Sequence, residues 1–161
     1  MKIRAAVIIL SDKGSKGLRQ DGCGSVLSAM LSRIDADVIY YEILPDELDL
    51  IKAKLIEVSN IADLIITSGG TGLSPRDVTP DATLAVIDKE IPGISQAIVS
   101  EGFKITKRAI LSRAVAGVRN NTLIINLPGS PKAVAECLSV ILDVLPHAVE
   151  KIKGSTEDCS R

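Results

Sequence analysis

The stretch Leu64–Gly72, which reads LIITSGGTG, decides the fold class of this chain. Its first four residues form a continuous apolar and β-branched run of strand length, and a loop with three glycines follows at once. A run that is apolar at every position, instead of at every second one, is typical of a parallel strand buried on both faces. The stretch therefore predicts a central parallel strand that ends in a glycine-rich loop.

The residues before this stretch repeat the same alternation of strand, loop and helix. Residues 5–10 form a continuous apolar run, and the turn-rich segment 11–17 follows it. A helical stripe starts between residues 21 and 25, strand character returns over residues 38–44, and a second helical stripe begins after Pro45. This alternation predicts an α/β fold with a mostly parallel central sheet flanked by helices.

The residues after the stretch predict helices with proline at their starts. Thr79 is expected to be the N-cap of a helix with Pro80 in its first turn, running about ten residues toward Glu90. Residues 91–93, Ile-Pro-Gly, should interrupt it, and a further helix is expected over residues 94–103.

The last third of the chain is expected to add an antiparallel pair and a final helix. Residues 113–118 and 123–127 should pair across a turn at residues 120–121. Ser130, followed by proline, is expected to cap the last helix, which Pro146 should kink or break.

The composition fits one domain and disfavours several classes of partner. With 161 residues, 46% of them hydrophobic, we expect a single domain over residues 1–152 and a flexible polar tail over residues 153–161. The formal net charge of −1 gives no field that attracts nucleic acid or an anionic membrane, and no run is long enough for a membrane helix. The three cysteines form no CxxC pair, which favours the cytoplasm.

The first candidate site is the loop Ser68–Gly72. Its glycines can adopt positive φ angles and turn backbone N–H groups toward phosphate oxygens, so the loop can be an anion nest. A tight strand-to-helix turn would need the same glycines for geometry alone. Arg76 and Asp77 follow within a few residues and suit a nucleotide, although Asp77 can instead be only a charge in the first turn of a helix and Arg76 only its solvated neighbour.

Two further loops are expected at the same edge of the sheet, because ligands bind beyond the carboxyl ends of parallel strands. Asp46 follows the second predicted strand, where it can share a divalent cation with Asp77 or serve only as an N-cap. Residues 126–131, Asn-Leu-Pro-Gly-Ser-Pro, form a third joint that can hold phosphate or pterin, or be a plain capped turn.

These loops resemble the signature of the molybdenum-cofactor biosynthesis family, and in particular its molybdopterin adenylyltransferase branch, the MogA/MoaB family. The resemblance covers nearly the whole chain. The segments that carry it are residues 11–14, 44–46, 67–72, 75–80, 111–113 and 126–132.

The resemblance implies a three-layer molybdopterin-binding fold in a single domain, commonly assembled as a homotrimer. It also implies a nucleotidyltransferase that uses Mg²⁺: the terminal phosphate of molybdopterin attacks the α-phosphate of ATP, and pyrophosphate leaves. Since the chain lacks a fused metal-insertion module, the implied pathway partner is a separate molybdenum insertase of the MoeA type.

The resemblance also implies site residues. Asp46 and Asp77 match the family's two functional aspartates and are the implied catalytic residues and Mg²⁺ ligands. Ser74 departs from the small residue that the family often has at its position, but it matches no implied ligand. The implied positions for molybdopterin and nucleotide are Ser11, Asp12, Ser68, Gly69, Gly70, Thr71, Gly72, Arg76, Ser112, Asn126, Pro128, Gly129 and Ser130.

Two alternatives to the adenylyltransferase stay open at this point. The first is a non-catalytic carrier of the same fold, which binds molybdopterin and passes it on, with the aspartates acting only as helix caps. The second is another nucleotide-dependent enzyme, related to the competence-damage-inducible proteins, which share a glycine-rich loop. The intact segment Pro75–Pro80 disfavours the second alternative.

Overall fold

The computed structural model describes residues 1–156, so residues 157–161, the end of the predicted tail, lie outside the described residues. Within the described range the chain forms six strands, seven α-helices and two 3-10 turns. In chain order these are β1 (Ile3–Leu10), α1 (Asp12–Ser15), α2 (Cys23–Ser32), β2 (Ala36–Leu44), α3 (Leu48–Val58), β3 (Leu64–Ser68), α4 (Thr79–Val86), β4 (Lys89–Glu90), α5 (Pro92–Ile105), a 3-10 turn (Lys107–Leu111), β5 (Ala116–Arg119), β6 (Thr122–Leu127), α6 (Pro131–Ile141), a 3-10 turn (Leu142–Val144) and α7 (Leu145–Ile152).

The strands form one mixed sheet in the order β2-β1-β3-β6-β5-β4. β1 pairs parallel with β2 and β3, and β3 pairs parallel with β6, whereas the β6–β5 and β5–β4 pairs are antiparallel. The predicted, mostly parallel sheet is confirmed. Its consequence for function is that the carboxyl ends of β1, β2, β3 and β6 meet at one edge.

Two apolar layers cover the two faces of the sheet, which explains why the central strands are apolar at every position. In β1, Val7 and Ile9 lie in the layer formed with α2, α5, α6 and α7. Their neighbours Ala6 and Ile8 lie in the opposite layer, formed with α3 and α4. Because successive side chains of a strand point to opposite faces, both sets of residues must be apolar. The fold therefore has the three layers that the resemblance implied.

The helix predicted at Thr79-Pro80 is present, but Thr79 is not its N-cap. Val78 occupies the N-cap position, and Thr79 is the first helical residue. The Thr79 N–H donates to the Gly70 carbonyl oxygen at 3.2 Å, and this bond holds Thr79 in the first position of the helix. No side chain caps this helix, so the expected role of the Thr79 hydroxyl was wrong.

The same helix also ends earlier than expected. It stops at Val86, and residues 89–90, where it should have continued, form the edge strand β4. The N–H groups of Asp88 and Ile91 donate to the carbonyl oxygens of Val118 and Ala116 in β5, at 2.7 Å each. Pairing with the sheet therefore replaces the last helical turn.

The elements of the last third follow the prediction closely. β5 and β6 pair antiparallel across a turn in which Asn120 has a φ of +50°. Ser130 caps α6, because its hydroxyl accepts a hydrogen bond from the Ala133 N–H at 3.2 Å. The helical stripe breaks at Leu142–Val144, just before Pro146, as expected.

The described part of the predicted tail begins with hydrogen-bonded residues. The Lys153 N–H donates to the Val149 carbonyl, and the Lys153 Nζ lies 2.8 Å from an oxygen of Asp63. Within residues 1–156, no helix has the length and apolar character that spanning a membrane requires.

Candidate functional site

Loops from four parallel strands meet at the carboxyl edge of the sheet. The Ser11 N–H donates to the Leu44 carbonyl at 2.9 Å, which joins the loops after β1 and β2. The Gly69 N–H donates to the Leu127 carbonyl at 3.0 Å, and the Ser68 hydroxyl donates to the Pro128 carbonyl at 2.8 Å. The three loops that the sequence singled out therefore form one continuous surface.

Two glycines of the loop after β3 have positive φ angles, +108° at Gly69 and +67° at Gly70. A Cβ atom on Gly69 would lie 2.3 Å from the carbonyl oxygen of Leu10, so only glycine fits against β1. A Cβ atom on Gly70 would instead lie 2.3 Å from the Thr79 hydroxyl oxygen and 3.0 Å from Asp46 Oδ1. Gly69 is thus required by the close packing of the turn against β1, whereas Gly70 faces the polar side chains of the site.

A first cavity of about 400 Å³ opens beside this loop, and its lining combines charged and polar side chains with the apolar side chains of Ile9, Leu10 and Ile43. It also contains residues that the sequence did not single out, among them Asp21 and Cys23 at the start of α2. The predicted site residues that line it are Ser11, Asp12, Asp46, Ser68, Gly69, Gly70, Asp77 and Gly129.

The aspartates of this cavity hold one another in place through backbone N–H groups. The Asp12 N–H donates to Asp46 Oδ2 at 3.2 Å, and the Asp46 N–H donates to Asp12 Oδ1 at 3.0 Å. Arg76 donates to both Asp12 oxygens, at 2.7 and 3.0 Å, and this hydrogen bonding is the main reason that the pKa of Asp12 is lowered. Asp77 Oδ2 accepts a hydrogen bond from the Ser74 N–H at 2.9 Å.

The charged form of Asp46 is disfavoured in this cavity. Its burial raises the pKa of its carboxyl group, and the negative charges of Asp12 and Asp77 raise it further. Arg76 opposes this shift only weakly, since it is paired with Asp12. A cation at this position would relieve the repulsion among the carboxylates.

The donor atoms present fit a hard divalent cation, for which carboxylate oxygens are the preferred protein ligands. Within residues 1–156, however, no group of three or more His, Cys, Asp or Glu side chains is arranged to hold a metal ion by itself. Mg²⁺ usually keeps several waters and binds through one or two carboxylates plus substrate phosphates. Asp46 and Asp77 therefore fit Mg²⁺ that arrives with a nucleotide better than a resident metal.

A second cavity, of about 510 Å³, lies on the other side of the glycine loop. Apolar side chains of α5, α6 and the 3-10 turn Lys107–Leu111 form most of its walls, including Ile98, Ile105, Leu111 and Val140. The predicted site residues that line it are Thr71, Gly72, Ser112, Asn126 and Pro128.

The two cavities are separated by a thin wall of backbone. Gly70 lines the first cavity and Thr71 the second, and in the loop after β6 the division falls between Pro128 and Gly129. Arg113, whose role the sequence did not reveal, supports this wall by donating to the carbonyl oxygens of Gly72 at 3.2 Å and Asp77 at 2.6 Å. Two ligands can therefore lie on either side of the glycine-rich loop.

Asn126 lines the second cavity, but the polar atoms of its side chain are hydrogen-bonded inside the protein. It is buried, and its amide group donates to the hydroxyls of Thr67 and Thr83, at 2.9 Å each. Its side-chain oxygen accepts a hydrogen bond from the Val115 N–H at 3.1 Å. This predicted site residue therefore fixes β3, β6 and α4 relative to the loop that carries Ser112.

Arg76 and Ser130 are the two predicted site residues that line neither cavity. Arg76 reaches the first cavity only through its ion pair with Asp12, and Ser130 is occupied as the cap of α6.

Comparison with known proteins agrees with this geometry. Residues 6–147 match the model of a family described as a probable molybdopterin binding domain. The molybdopterin adenylyltransferase of Helicobacter pylori is 41% identical over 157 residues, which cover 95% of this chain and 89% of that protein. The molybdenum cofactor synthesis protein cinnamon of Drosophila melanogaster is 42% identical over 153 residues, 93% of this chain but 26% of that longer protein.

A solved structure has the same fold. The molybdopterin biosynthesis enzyme MoaB from Thermus thermophilus superimposes with a TM-score of 0.90 at 44% identity, covering 95% of this chain and 98% of that one. The resemblance inferred from the loop motifs is thus confirmed, and the chain belongs to the molybdopterin-binding domain family of molybdenum-cofactor biosynthesis.

Proposed function

We propose that this protein is a molybdopterin adenylyltransferase, which transfers AMP from MgATP to the phosphate of molybdopterin and releases pyrophosphate. The observation that carries the proposal is the pair of cavities, one with carboxylates and one mostly apolar, that meet at the glycine-rich loop. A reaction between two bulky substrates needs two such neighbouring spaces. The names of the relatives support the same reaction.

The carboxylate cavity suits the triphosphate of ATP. Asp46 and Asp77 would hold Mg²⁺ there, which supplies charge neutralisation on the phosphates. The part of the glycine-rich loop that follows Gly69 lies at the same edge, and its backbone N–H groups suit phosphate oxygens. Arg76 can exchange its ion pair with Asp12 for a phosphate, because its side chain is exposed at the rim of the cavity.

The apolar cavity suits the flat ring system of the pterin, since it combines aliphatic walls with few polar groups. Ser112 and the backbone of Pro128 are placed at its polar end, next to the wall. In this arrangement the molybdopterin phosphate would extend past Thr71 and Gly72 into the carboxylate cavity, where it would meet the α-phosphate of ATP.

The chemistry then requires mainly alignment. An oxygen of the molybdopterin phosphate forms a bond to the α-phosphorus of ATP, the bond to the β-phosphate oxygen breaks, and pyrophosphate carries away the electron pair. No covalent intermediate with the protein is needed, because positioning and charge neutralisation account for most of the catalysis in such transfers.

The experiment is pyrophosphate release on mixing the purified protein with molybdopterin and MgATP. Release should require molybdopterin, stop when EDTA removes the metal, and fall strongly in Asp77→Asn. Asp49→Asn is the control, because Asp49 is an exposed aspartate in the first turn of α3 and does not line either cavity. Full turnover by Asp77→Asn with undiminished Mg²⁺ dependence would contradict the assignment of Asp77.

The second candidate function is a molybdopterin carrier without catalysis. The two hydrogen bonds between Asp12 and Asp46 favour it in one respect, since they give both aspartates a purely structural use. Tight molybdopterin binding by active, correctly assembled protein without any pyrophosphate release would establish the carrier.

We further propose a homotrimer, a separate MoeA-type molybdenum insertase as partner, and a cytoplasmic location. Exposed apolar residues at the end of α5 and in the following turn, such as Phe103, Ile105 and Ile110, offer a surface for assembly. Light scattering of the purified protein measures the oligomeric state. We also propose that the chain forms a single domain over residues 1–152.

A further inference from the structure

Thr79 has a buried hydroxyl group without a hydrogen-bond partner. The residue is fully buried, and among the described residues its Oγ1 and the Arg119 Nε are the two buried side-chain atoms that lack a partner. Leaving such a group unpaired costs free energy, so each case calls for a reason. The usual reason for threonine before proline, helix capping, does not apply, because Val78 is the N-cap of α4.

The unpaired hydroxyl faces the catalytic carboxylates of the proposed site. The hydroxyl borders the space at the Cβ position of Gly70, and so does Asp46 Oδ1: an atom at that position would lie 2.3 Å from the hydroxyl oxygen and 3.0 Å from Oδ1. Within residues 1–156, Asp46 Oδ2 accepts the Asp12 N–H, and no donor reaches Oδ1. The Thr79 hydroxyl is thus a donor without an acceptor, and Asp46 Oδ1, which borders the same space over Gly70, is an acceptor without a donor.

We infer that Thr79 is a positioning residue, whose hydroxyl donates a hydrogen bond to Asp46 Oδ1 when the site is occupied and thereby fixes the orientation of that carboxylate. The hydroxyl is closed off from solvent, so its acceptor must come from the protein. With Asp12 N–H on one oxygen and Thr79 on the other, the Asp46 carboxylate would be held at both ends. The inference rests on the proposed function of Asp46 and adds a residue to it.

The backbone around Thr79 is already fixed, so only the hydroxyl is free for this role. Its N–H donates to Gly70 O at 3.2 Å, and its carbonyl accepts the Thr83 hydroxyl at 2.9 Å. Thr83 is the matched contrast, since it is a buried threonine one turn later whose hydroxyl is fully used, donating to Thr79 and accepting from Asn126.

The test compares Thr79→Val, which keeps the shape and removes the hydroxyl, with Thr79→Ser, which keeps the hydroxyl. Three quantities are measured: the thermal midpoint, the affinity for Mn²⁺ in the presence of a non-hydrolysable ATP analogue by the EPR signal of the protein-bound ion, and kcat and KM for pyrophosphate release. Thr79→Val should keep or raise the midpoint, because it removes an unpaired polar group. Its Mn²⁺ affinity and kcat should fall roughly 10- to 100-fold, the usual effect of losing a group that orients a metal ligand.

Thr79→Ser should recover most of both losses, and the KM for molybdopterin should change little in either variant. Unchanged Mn²⁺ affinity and kcat in Thr79→Val would overturn the inference. So would a drop in thermal midpoint with no change at the site, because it would make the hydroxyl purely structural. If the wild-type protein releases no pyrophosphate, the proposed function fails, but the Mn²⁺ affinities still decide whether Thr79 positions Asp46.

Discussion

The space at the Cβ position of Gly70 lies between the Thr79 hydroxyl and the Asp46 carboxylate, and the Gly70 backbone has a φ of +67°. These two features act separately. The left-handed backbone penalises any side chain by about 1–2 kcal/mol. The contacts add a second penalty, because a methyl group would occupy the space over which the two oxygens face each other. A substitution can therefore separate the cost of backbone strain from the cost to the site.

Gly70→Ala is expected to lose about 1–2 kcal/mol of unfolding free energy or more, together with nearly all pyrophosphate release. Gly17→Ala is the matched control, since Gly17 has a φ of +70° and nothing within 4 Å of its Cβ position. It should show the backbone cost in urea unfolding while keeping its activity. Equal activities in the two variants would mean that the space over Gly70 is not used in the reaction.

Asp46 differs from an ordinary structural aspartate, because its charged form is disfavoured in the folded protein. Asp46→Asn keeps an oxygen acceptor for the Asp12 N–H and removes the repulsion from its neighbours, so unfolding free energy should stay unchanged or rise. Its kcat should fall at least roughly 100-fold, since metal-assisted charge stabilisation is worth several kcal/mol. Asp49→Asn, at an exposed position on the first turn of α3, should leave both unchanged. A large loss of stability in Asp46→Asn would instead identify a structural residue.

At the scale of elements, a buried polar network joins α4 to the centre of the sheet. Asn126 of β6 donates to Thr67 of β3 and to Thr83 of α4, and it accepts the N–H of Val115 before β5. This arrangement fixes the helix that carries Thr79 relative to the strands that carry the two loops. A buried network of this kind is stabilising only while every member has a partner.

Asn126→Ala should therefore cost about 2–3 kcal/mol, because it leaves the Val115 N–H and two hydroxyls without their partner. Asn121→Ala, at an exposed position near the hairpin turn, should stay within about 0.5 kcal/mol of the wild type. Urea unfolding followed by circular dichroism measures both. A small effect at Asn126 would show that solvent replaces these hydrogen bonds and that the network does not fix α4.

The elements that the sequence predicted well are those with a strong local signal. β1 and β3 read as continuous apolar runs because both faces of the sheet are covered, and the glycine-rich loop follows from backbone angles that favour glycine. β4 consists of two residues, Lys89 and Glu90, and both are exposed, so its sequence carries no apolar pattern. Its strand character comes entirely from pairing with β5, which no local signal contains.

The sequence also predicted part of the site. Loops at the ends of parallel strands must converge, so Ser11, Asp46 and Asp77 could be expected together. The apolar cavity could not, because α5, a 3-10 turn and α6 build it from residues 98–140, which are brought together only by packing. The direction of the Asn126 side chain and the free hydroxyl of Thr79 likewise depend on partners in other elements.

At the scale of the whole molecule, the edge of the sheet opposite the site is held by one buried carboxylate. Asp63 accepts hydrogen bonds from the backbone N–H and the guanidinium of Arg4 in β1, and Lys153, just after α7, lies 2.8 Å from it. The two ends of the described chain therefore meet at a residue that precedes β3. Breaking this contact should loosen the amino-terminal strand and the last helix together.

The same contact predicts how stability depends on pH. Burial raises the pKa of Asp63, but the hydrogen bonds from Arg4 and Lys153 outweigh burial and hold the pKa well below the ordinary value of 3.8. Because the folded pKa lies below the unfolded one, the stabilisation is fully present above about pH 4 and is lost as pH falls toward the folded pKa.

Asp63→Asn should therefore lose about 1.5–3 kcal/mol of unfolding free energy at pH 7, the usual range for hydrogen bonds to a charged group. Its difference from the wild type should shrink as pH is lowered below 4, because the unfolded wild type then binds a proton at Asp63 that the folded protein binds only at a lower pH. Asp37→Asn is the control, since Asp37 forms an exposed ion pair with Lys2, which is worth little. A difference between wild type and Asp63→Asn that stayed constant down to pH 2 would show that the hydrogen bonds, and not the charge, stabilise this edge of the sheet.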